Sequence, residues 1–344
     1  MIPARRRRAT IGRGAGCALV PGAARCCLRL SVTLLLLVLT SGSGRAQQRI
    51  HLTPHYRQGL TLRYALDFKT TAQNTATGGI QNPQAPSQVE TTVSAVVRID
   101  ILAASADPAH PNLPRVRMRT TYERIDTKFN ADVPDPQFAE NQAQYKQLEG
   151  KSIEFTQDAG GAVTEIKGLD EYTPEVRAAF TEWLGRLSLG VALPAQGIAI
   201  GDKWSPPAQP RSQPIPIEGI IFQTESTYLR NEACRNPQSA AAAAPAGGSP
   251  AEECAVILTR FGITQRNMQD QTPEEYRKRG LRTGGRMSGG AESLTYVSLA
   301  TGFVVSVTQD GTEESDVTIV SQQHQLRMRY EGKMKTRSQI SLLP

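Results

Sequence analysis

Apolar and polar residues alternate along most of this chain. From Leu60 the apolar positions are Leu60, Leu62, Tyr64, Leu66 and Phe68, with Thr61, Arg63, Asp67 and Lys69 between them. A period of two sustained over this length predicts a strand with one buried face. A second run places Val89, Thr91, Val93, Ala95, Val97, Ile99 and Ile101 in register after a stretch rich in Gly, Asn, Gln and Pro. Beyond Pro108, Pro111 and Pro114, a third sets Val116, Met118, Thr120 and Tyr122 on one face and Arg115, Arg117 and Arg119 on the other. Further strands are predicted over Ala255 to Gln265, around Val317 and Ile319, and at the C-terminus. There Leu326, Met328, Tyr330 and Met334 oppose Arg327, Arg329, Lys333, Lys335 and Arg337. Such runs exceed the usual five or six residues and suit long antiparallel strands with one polar face, in a curved sheet, half-barrel or barrel.

Two segments carry a different period. Residues 136–149 suggest a short helix with a weak stripe through Phe138, Tyr145 and Leu148. Residues 174–189 predict a clearer one, with Thr173 as N-cap, Pro174 at the first helical position and Glu175 at the positive end of the dipole. Val176, Phe180, Trp183, Leu184 and Leu187 form its apolar face, and Gly190 ends it. The glycine-rich run Gly284 to Gly290 reads as a mobile loop.

An internal echo relates Ser152–Ile166 to Ser293–Val307 without gaps. It matches Ile153 with Leu294, Phe155 with Tyr296 and Gly161 with Gly302. Gly59 ahead of Tyr64 and Gly201 ahead of Trp204 fit nearly the same offset, as do the strands at 114–125 and 255–265. The expectation is two related β-rich halves, 47–190 and 191–344, whose matched residues face the same side of their sheets.

Charge changes the picture only once it is located. The 344 residues carry a formal net charge of +7, which invites a nucleic-acid reading. Residues 1–46 hold eight arginines and no acid, and the remainder is close to neutral. No long-range field for polyanions is therefore expected, and no nucleic-acid partner. The leader reads as a secretory signal: a basic start, an apolar run from Leu30 to Leu39, and Gly44-Arg45-Ala46 before a predicted cleavage ahead of Gln47. The run is about half the length of a membrane span, so no transmembrane helix is expected to be retained. The basic start is long for a signal, and translation beginning near Val20 is an alternative. Export to the periplasm or beyond it is the expected localisation.

After cleavage two of the five cysteines are left, Cys234 and Cys254, on either side of a loop at 235–253 containing SAAAAAPAGGSP. An even pair in an oxidising compartment predicts a disulfide stapling the base of a flexible hairpin. Motifs of chemistry are absent. The histidines His51, His55, His110 and His324 lack metal-ligand spacing, and the mature chain has no GxSxG. No catalytic, metal or cofactor residue is assigned. Asp158 with Glu165, and Glu313 with Glu314 and Asp316, read as solvated carboxylates at hairpin ends. The basic faces of Arg115, Arg117 and Arg119, and of Arg327, Arg329, Lys333, Lys335 and Arg337, are candidate contacts with an anionic surface. Their plainer reading is a solvated outer face.

The run Gly201-Asp-Lys-Trp204, with the two glycine-turn hairpins and the exported setting, resembles an uncharacterised family of bacterial secreted proteins over most of residues 50–340. That resemblance implies no activity. At the level of fold alone, long curved strands with a helix against them are similar to the periplasmic lipoprotein carriers, whose concave sheet holds acyl chains. The leading functional expectation is a non-catalytic envelope protein that binds an apolar or amphipathic ligand, a lipid or other envelope component, or a protein partner. The alternatives are a hydrolase acting on wall or envelope material and a structural interaction module.

Overall fold

The structure is a computed structural model. It describes residues 49–344 other than 79–86, 108–113, 134–135, 159–162, 171, 173–176, 178–183, 185–192, 195, 207–214, 236–251, 322 and 324. The predicted signal segment and its cleavage point lie outside the described residues.

The alternating runs become eleven strands: β1 (Thr61–Thr77), β2 (Gln88–Ala106), β3 (Pro114–Ala131), β4 (Ser152–Gln157), β5 (Val163–Lys167), β6 (Lys203–Trp204), β7 (Ile220–Ala233), β8 (Glu253–Gln265), β9 (Leu281–Ser298), β10 (Val304–Ser321) and β11 (Leu326–Leu343). They form one antiparallel sheet in the order β5-β4-β3-β2-β1-β11-β10-β9-β8-β7-β6. The sheet ends at β5 and β6 and does not close into a barrel. The two predicted halves meet along β1 and β11, paired from Arg63–Leu343 to Thr77–Arg329, so residues 49–344 make one continuous unit. Among the described residues two helices are assigned, α1 (Pro136–Lys146) against β3 and α2 (Glu274–Lys278) against β9.

Cross-strand register fixes which side chains share a face. The front face collects Leu62, Tyr64 and Leu66 of β1, Val97, Ile99 and Ile101 of β2, Val116, Met118 and Tyr122 of β3, and Ile153 and Phe155 of β4, all buried. It continues through Ile340, Val307, Val297, Ile257 and Tyr228. One end of this face is covered. Leu52 and Tyr56 of the N-terminal segment, Leu148, Leu169, Leu184, Ile198 and Phe303 pack onto it, and the Tyr64 hydroxyl donates to the Val304 carbonyl at 2.9 Å. A Leu or Phe placed there contributes about 1.5–3 kcal/mol by leaving water.

Several expectations need correction. The glycine-rich run at 284–290 is no loop; it lies inside β9, paired with β10 throughout. Glu313, Glu314 and Asp316 are not at a hairpin end but inside β10, and Glu313 faces the opposite side from the other two. The echo fails residue by residue. Val116 pairs with Gln157, so its counterpart Ile257 should pair with Ser298; it pairs instead with Thr295. A slip of an odd number of residues exchanges faces. Phe155 and Ile153 are therefore on the front face, whereas Tyr296 and Leu294 are on the back, in a small cluster with Cys254, Val256 and Val305. Gly302 does stand at the turn with φ of 72°; Gly161 lies outside the described residues. Of the predicted helix at 174–189, Arg177 and Leu184 are helical and Leu184 is fully buried. Its other residues, Trp183 among them, lie outside the described residues.

Candidate functional site

The back face is a lattice of ion pairs. Arg117 and Arg119 both reach Glu154, at 2.7 and 2.6 Å, and Arg115 reaches Glu165 at 2.9 Å. Hydrogen bonds from Arg119 and then Arg117 hold the Glu154 carboxyl below its ordinary range. On β11, Arg329 forms a two-point pair with Asp316, Lys333 reaches Glu314 at 3.1 Å and Arg337 reaches Asp310 at 2.7 Å. Arg327 and Lys335 have no ion pair among the described residues. A shallow depression of about 760 Å³ opens between Lys69, Lys335, Arg337 and Arg260 over Gly290. Its cations are largely met by acids: Lys69 by Glu90, Arg260 by Glu292, Arg337 by Asp310. The candidate anionic-surface residues thus share one face of the sheet, most of them already paired within it.

The disulfide is present. Cys234 bonds Cys254 at the base of the β7–β8 hairpin. Glu232 beside it accepts from the Tyr296 hydroxyl at 2.6 Å and from Arg230 at 2.8 Å, so its carboxyl titrates below the ordinary range, chiefly through Arg230. Among the described residues no helix is long and apolar enough to cross a membrane. The disulfide agrees with an oxidising compartment.

The front face offers a different surface. Beyond the covered end, the strands continue with the same alternation. One row reads Val93, Phe68, Ser338, Gln309, Ser293, Thr259 and Ser226 across seven strands. The next contains Phe129, Thr70, Thr336, Gly311, Ala291 and Phe261, and the one after it Val89, Ala72, Met334, Glu313, Gly289, Ile263 and Phe222. Phe222 stacks on Phe261 at 5.7 Å, and Phe129 stacks on Phe138 of α1 at 5.4 Å. Most of these residues are half-buried, and of the named elements only α1 and α2 pack on the sheet.

Glycines let the strands of this distal face approach closely. Side chains opposite one another on a flat sheet hold their Cβ atoms about 4.5–5.5 Å apart. A Cβ at Gly311 would stand 3.0 Å from the Ala291 Cβ and 2.9 Å from the Thr336 hydroxyl. A Cβ at Gly332 would stand 2.8 Å from the Ser315 hydroxyl. On the back face, a Cβ at Gly262 would meet nothing within 4 Å, its partner on β9 being Gly290, which has no side chain. At Gly311 and Gly332 of the front face a side chain would crowd its cross-strand neighbours, and glycine relieves that crowding.

From the Phe68 row to the strand ends, Glu313 is the one charged side chain facing front among the described residues of β1–β3 and β7–β11. Along the β9 edge past the end of its pairing with β8, Gln265 donates to the Gly285 carbonyl and accepts from the Met287 amide, while Gln271 accepts from the Gly285 amide. Amide side chains thus stand in for a missing strand and keep the rim ordered.

No protein-family model matches this chain, and no curated protein matches it.

Sequence reasoning missed this face because its glycines mimic a loop and Glu313 hides in an acidic cluster. The alternation itself was the available signal: counting parity from Val307 puts Glu313 with the apolar set and Glu314 outside it.

Proposed function

We propose that this protein is an exported, non-catalytic binder of an amphipathic ligand, held on the distal front face. The observation that carries the reading is the continued front–back alternation of β1, β2 and β7–β11 beyond the covered end. A sheet that solvates one face normally buries the other, and here Phe68, Val93, Met334, Phe222 and Phe261 are half-buried and Ile263 is buried on the front face beyond that end. An acyl chain satisfies them at about 0.8 kcal/mol per buried methylene. The hydroxyl and amide row of Ser338, Gln309, Ser293 and Thr259 suits the polar end of such a molecule. Flexible Met334 and Met287 adapt to varied chains.

The test is calorimetric titration of the mature protein with n-dodecyl maltoside below its micellar concentration. Saturable binding with a negative heat-capacity change is expected, and Phe261→Asp should abolish it while the circular dichroism spectrum is retained. Absence of saturable binding, or binding indifferent to Phe261→Asp, would remove the reading. Export has its own check: the mature N-terminus of material secreted by the native host should be Gln47.

A further inference from the structure

We infer that one end of the sheet, where β9 begins and β10 turns into β11, docks on a membrane surface rich in anionic lipid. The inference goes beyond the amphiphile-binding reading and does not depend on it.

Register brings four arginines together on the back face of this end. Arg282 of β9 stands opposite Val320 of β10, and Val320 opposite Arg327 of β11, so a single strand separates the two arginines. In the next row on that face Gly284, Thr318 and Arg329 follow one another across the same strands, and in the one after it Arg286, Asp316 and Glu331. The two acids of this patch are both taken up by Arg329, each at 2.8 Å. Arg282, Arg286 and Arg327 are exposed and make no ion pair among the described residues. Arginine is suited to phosphate because its planar fork offers two parallel donors. Gly284 has no side chain and Thr318 a short one, so the floor between the guanidinium groups is low.

The front face of the same end is apolar. Leu326 and Met328 of β11 alternate with Arg327 and Arg329, and Ile319 of β10 and Leu281 of β9 lie on their side. Tyr330 continues the row and is 39% exposed. One end of the sheet therefore carries guanidinium groups on one side and Leu, Ile, Met and Tyr on the other. A soluble polyanion would use only the first set. A lipid surface uses both, since phosphates meet the arginines while apolar and aromatic side chains enter the headgroup boundary. The chain beyond residue 46 is close to neutral, so the attraction is local to this patch and acts within about a Debye length of the membrane.

The experiment floats the mature protein with two kinds of vesicle, phosphatidylcholine alone and phosphatidylcholine mixed in equal parts with phosphatidylglycerol. Binding to the mixed vesicles at low salt, declining as salt rises, is expected, with none to phosphatidylcholine alone. A basic residue close to such a surface contributes about five-fold, so Arg282→Gln with Arg327→Gln should weaken binding at least about ten-fold. Arg57→Gln with Arg124→Gln removes the same charge away from this end, before β1 and within β3. That pair should leave binding within about two-fold. Leu326→Ser with Met328→Ser, which changes no charge, should weaken it as well, with the circular dichroism spectrum retained in every variant. Three results overturn the inference: no binding to the mixed vesicles, equal loss in the two arginine pairs, or binding indifferent to the serine pair. Saturable binding of inorganic tripolyphosphate without binding to the mixed vesicles also overturns it, and assigns the arginines to a soluble phosphate instead.

Discussion

Gly289 stands directly opposite Glu313, and a Cβ on Gly289 would lie 2.5 Å from the Thr312 carbonyl oxygen and 3.0 Å from the Glu313 Cα. Backbone cannot withdraw from such a contact without bending the sheet. Gly262 lies on the back face opposite Gly290, where the same Cβ would meet nothing.

The pair makes the close approach of β9 and β10 measurable. Gly289→Ala should destabilise by about 1–3 kcal/mol through overpacking. Gly262→Ala should be neutral or stabilise by about 0.4–1 kcal/mol, since it mainly restricts the unfolded chain. Urea denaturation of both variants decides it. Equal effects would mean that the backbone beside Gly289 yields to a side chain at no cost.

Phe155 and Tyr296 respond differently because they sit on opposite faces. Phe155→Ala opens a cavity in the main core and should cost about 3–5 kcal/mol. Tyr296→Phe keeps its packing and removes only the hydrogen bond to Glu232, an effect of about 1–2 kcal/mol. Comparable losses in the two variants would contradict the opposite placement.

How much of this was legible depends on which signal each residue carried. The long strands, their buried faces and the Cys234–Cys254 bond follow from period-two patterning and cysteine count, and Val116, Met118, Thr120 and Tyr122 are buried as that pattern requires. The echo was misleading because similarity of hairpins does not fix register, and one odd slip between β8 and β9 reverses Tyr296. Gly284–Gly290 mimics a loop because glycine weakens strand propensity in isolation, while the close approach of β10 at Gly285 and Gly289 demands it. That approach arises from strand pairing and leaves no local trace. Glu313 was legible by parity alone, and proximity in sequence to Glu314 and Asp316 concealed it.

The disulfide closes a segment with a sequence separation of 20 residues. In the chain-entropy account such a loop contributes about 3 kcal/mol. Non-reducing peptide mapping should recover the two cysteines joined, and paired replacement of Cys234 and Cys254 by Ala should lower the melting temperature by a corresponding amount. The Tyr296, Val256 and Val305 cluster packed against the bridge should loosen first, seen as faster amide exchange in β8 and β9 than in β2.

The last prediction concerns acid. Glu154 accepts from Arg119 at 2.6 Å and Arg117 at 2.7 Å, and those bonds favour its charged form in the folded protein. A folded carboxyl that titrates below its unfolded value, about 4.3, stabilises the protein above that value. The stabilisation is lost as pH falls through the folded one. The arginines are about half exposed, with side-chain accessibilities of 50% and 43%, so solvent screens the pairs and the effect is modest. Glu154→Gln should therefore lower the urea midpoint at pH 7. The gap to wild type should be constant down to about pH 5, narrow through the carboxylate range and close once Glu154 is protonated in both states. Raising salt at pH 7 should shrink the same gap without changing the pH at which it closes by much. Arg119→Gln should show the same acid dependence, since it removes the larger cause of the shift. A Glu154→Gln gap that persists unchanged at pH 2.5 would mean that the side chain acts by packing between β3 and β4, and that its charge contributes nothing.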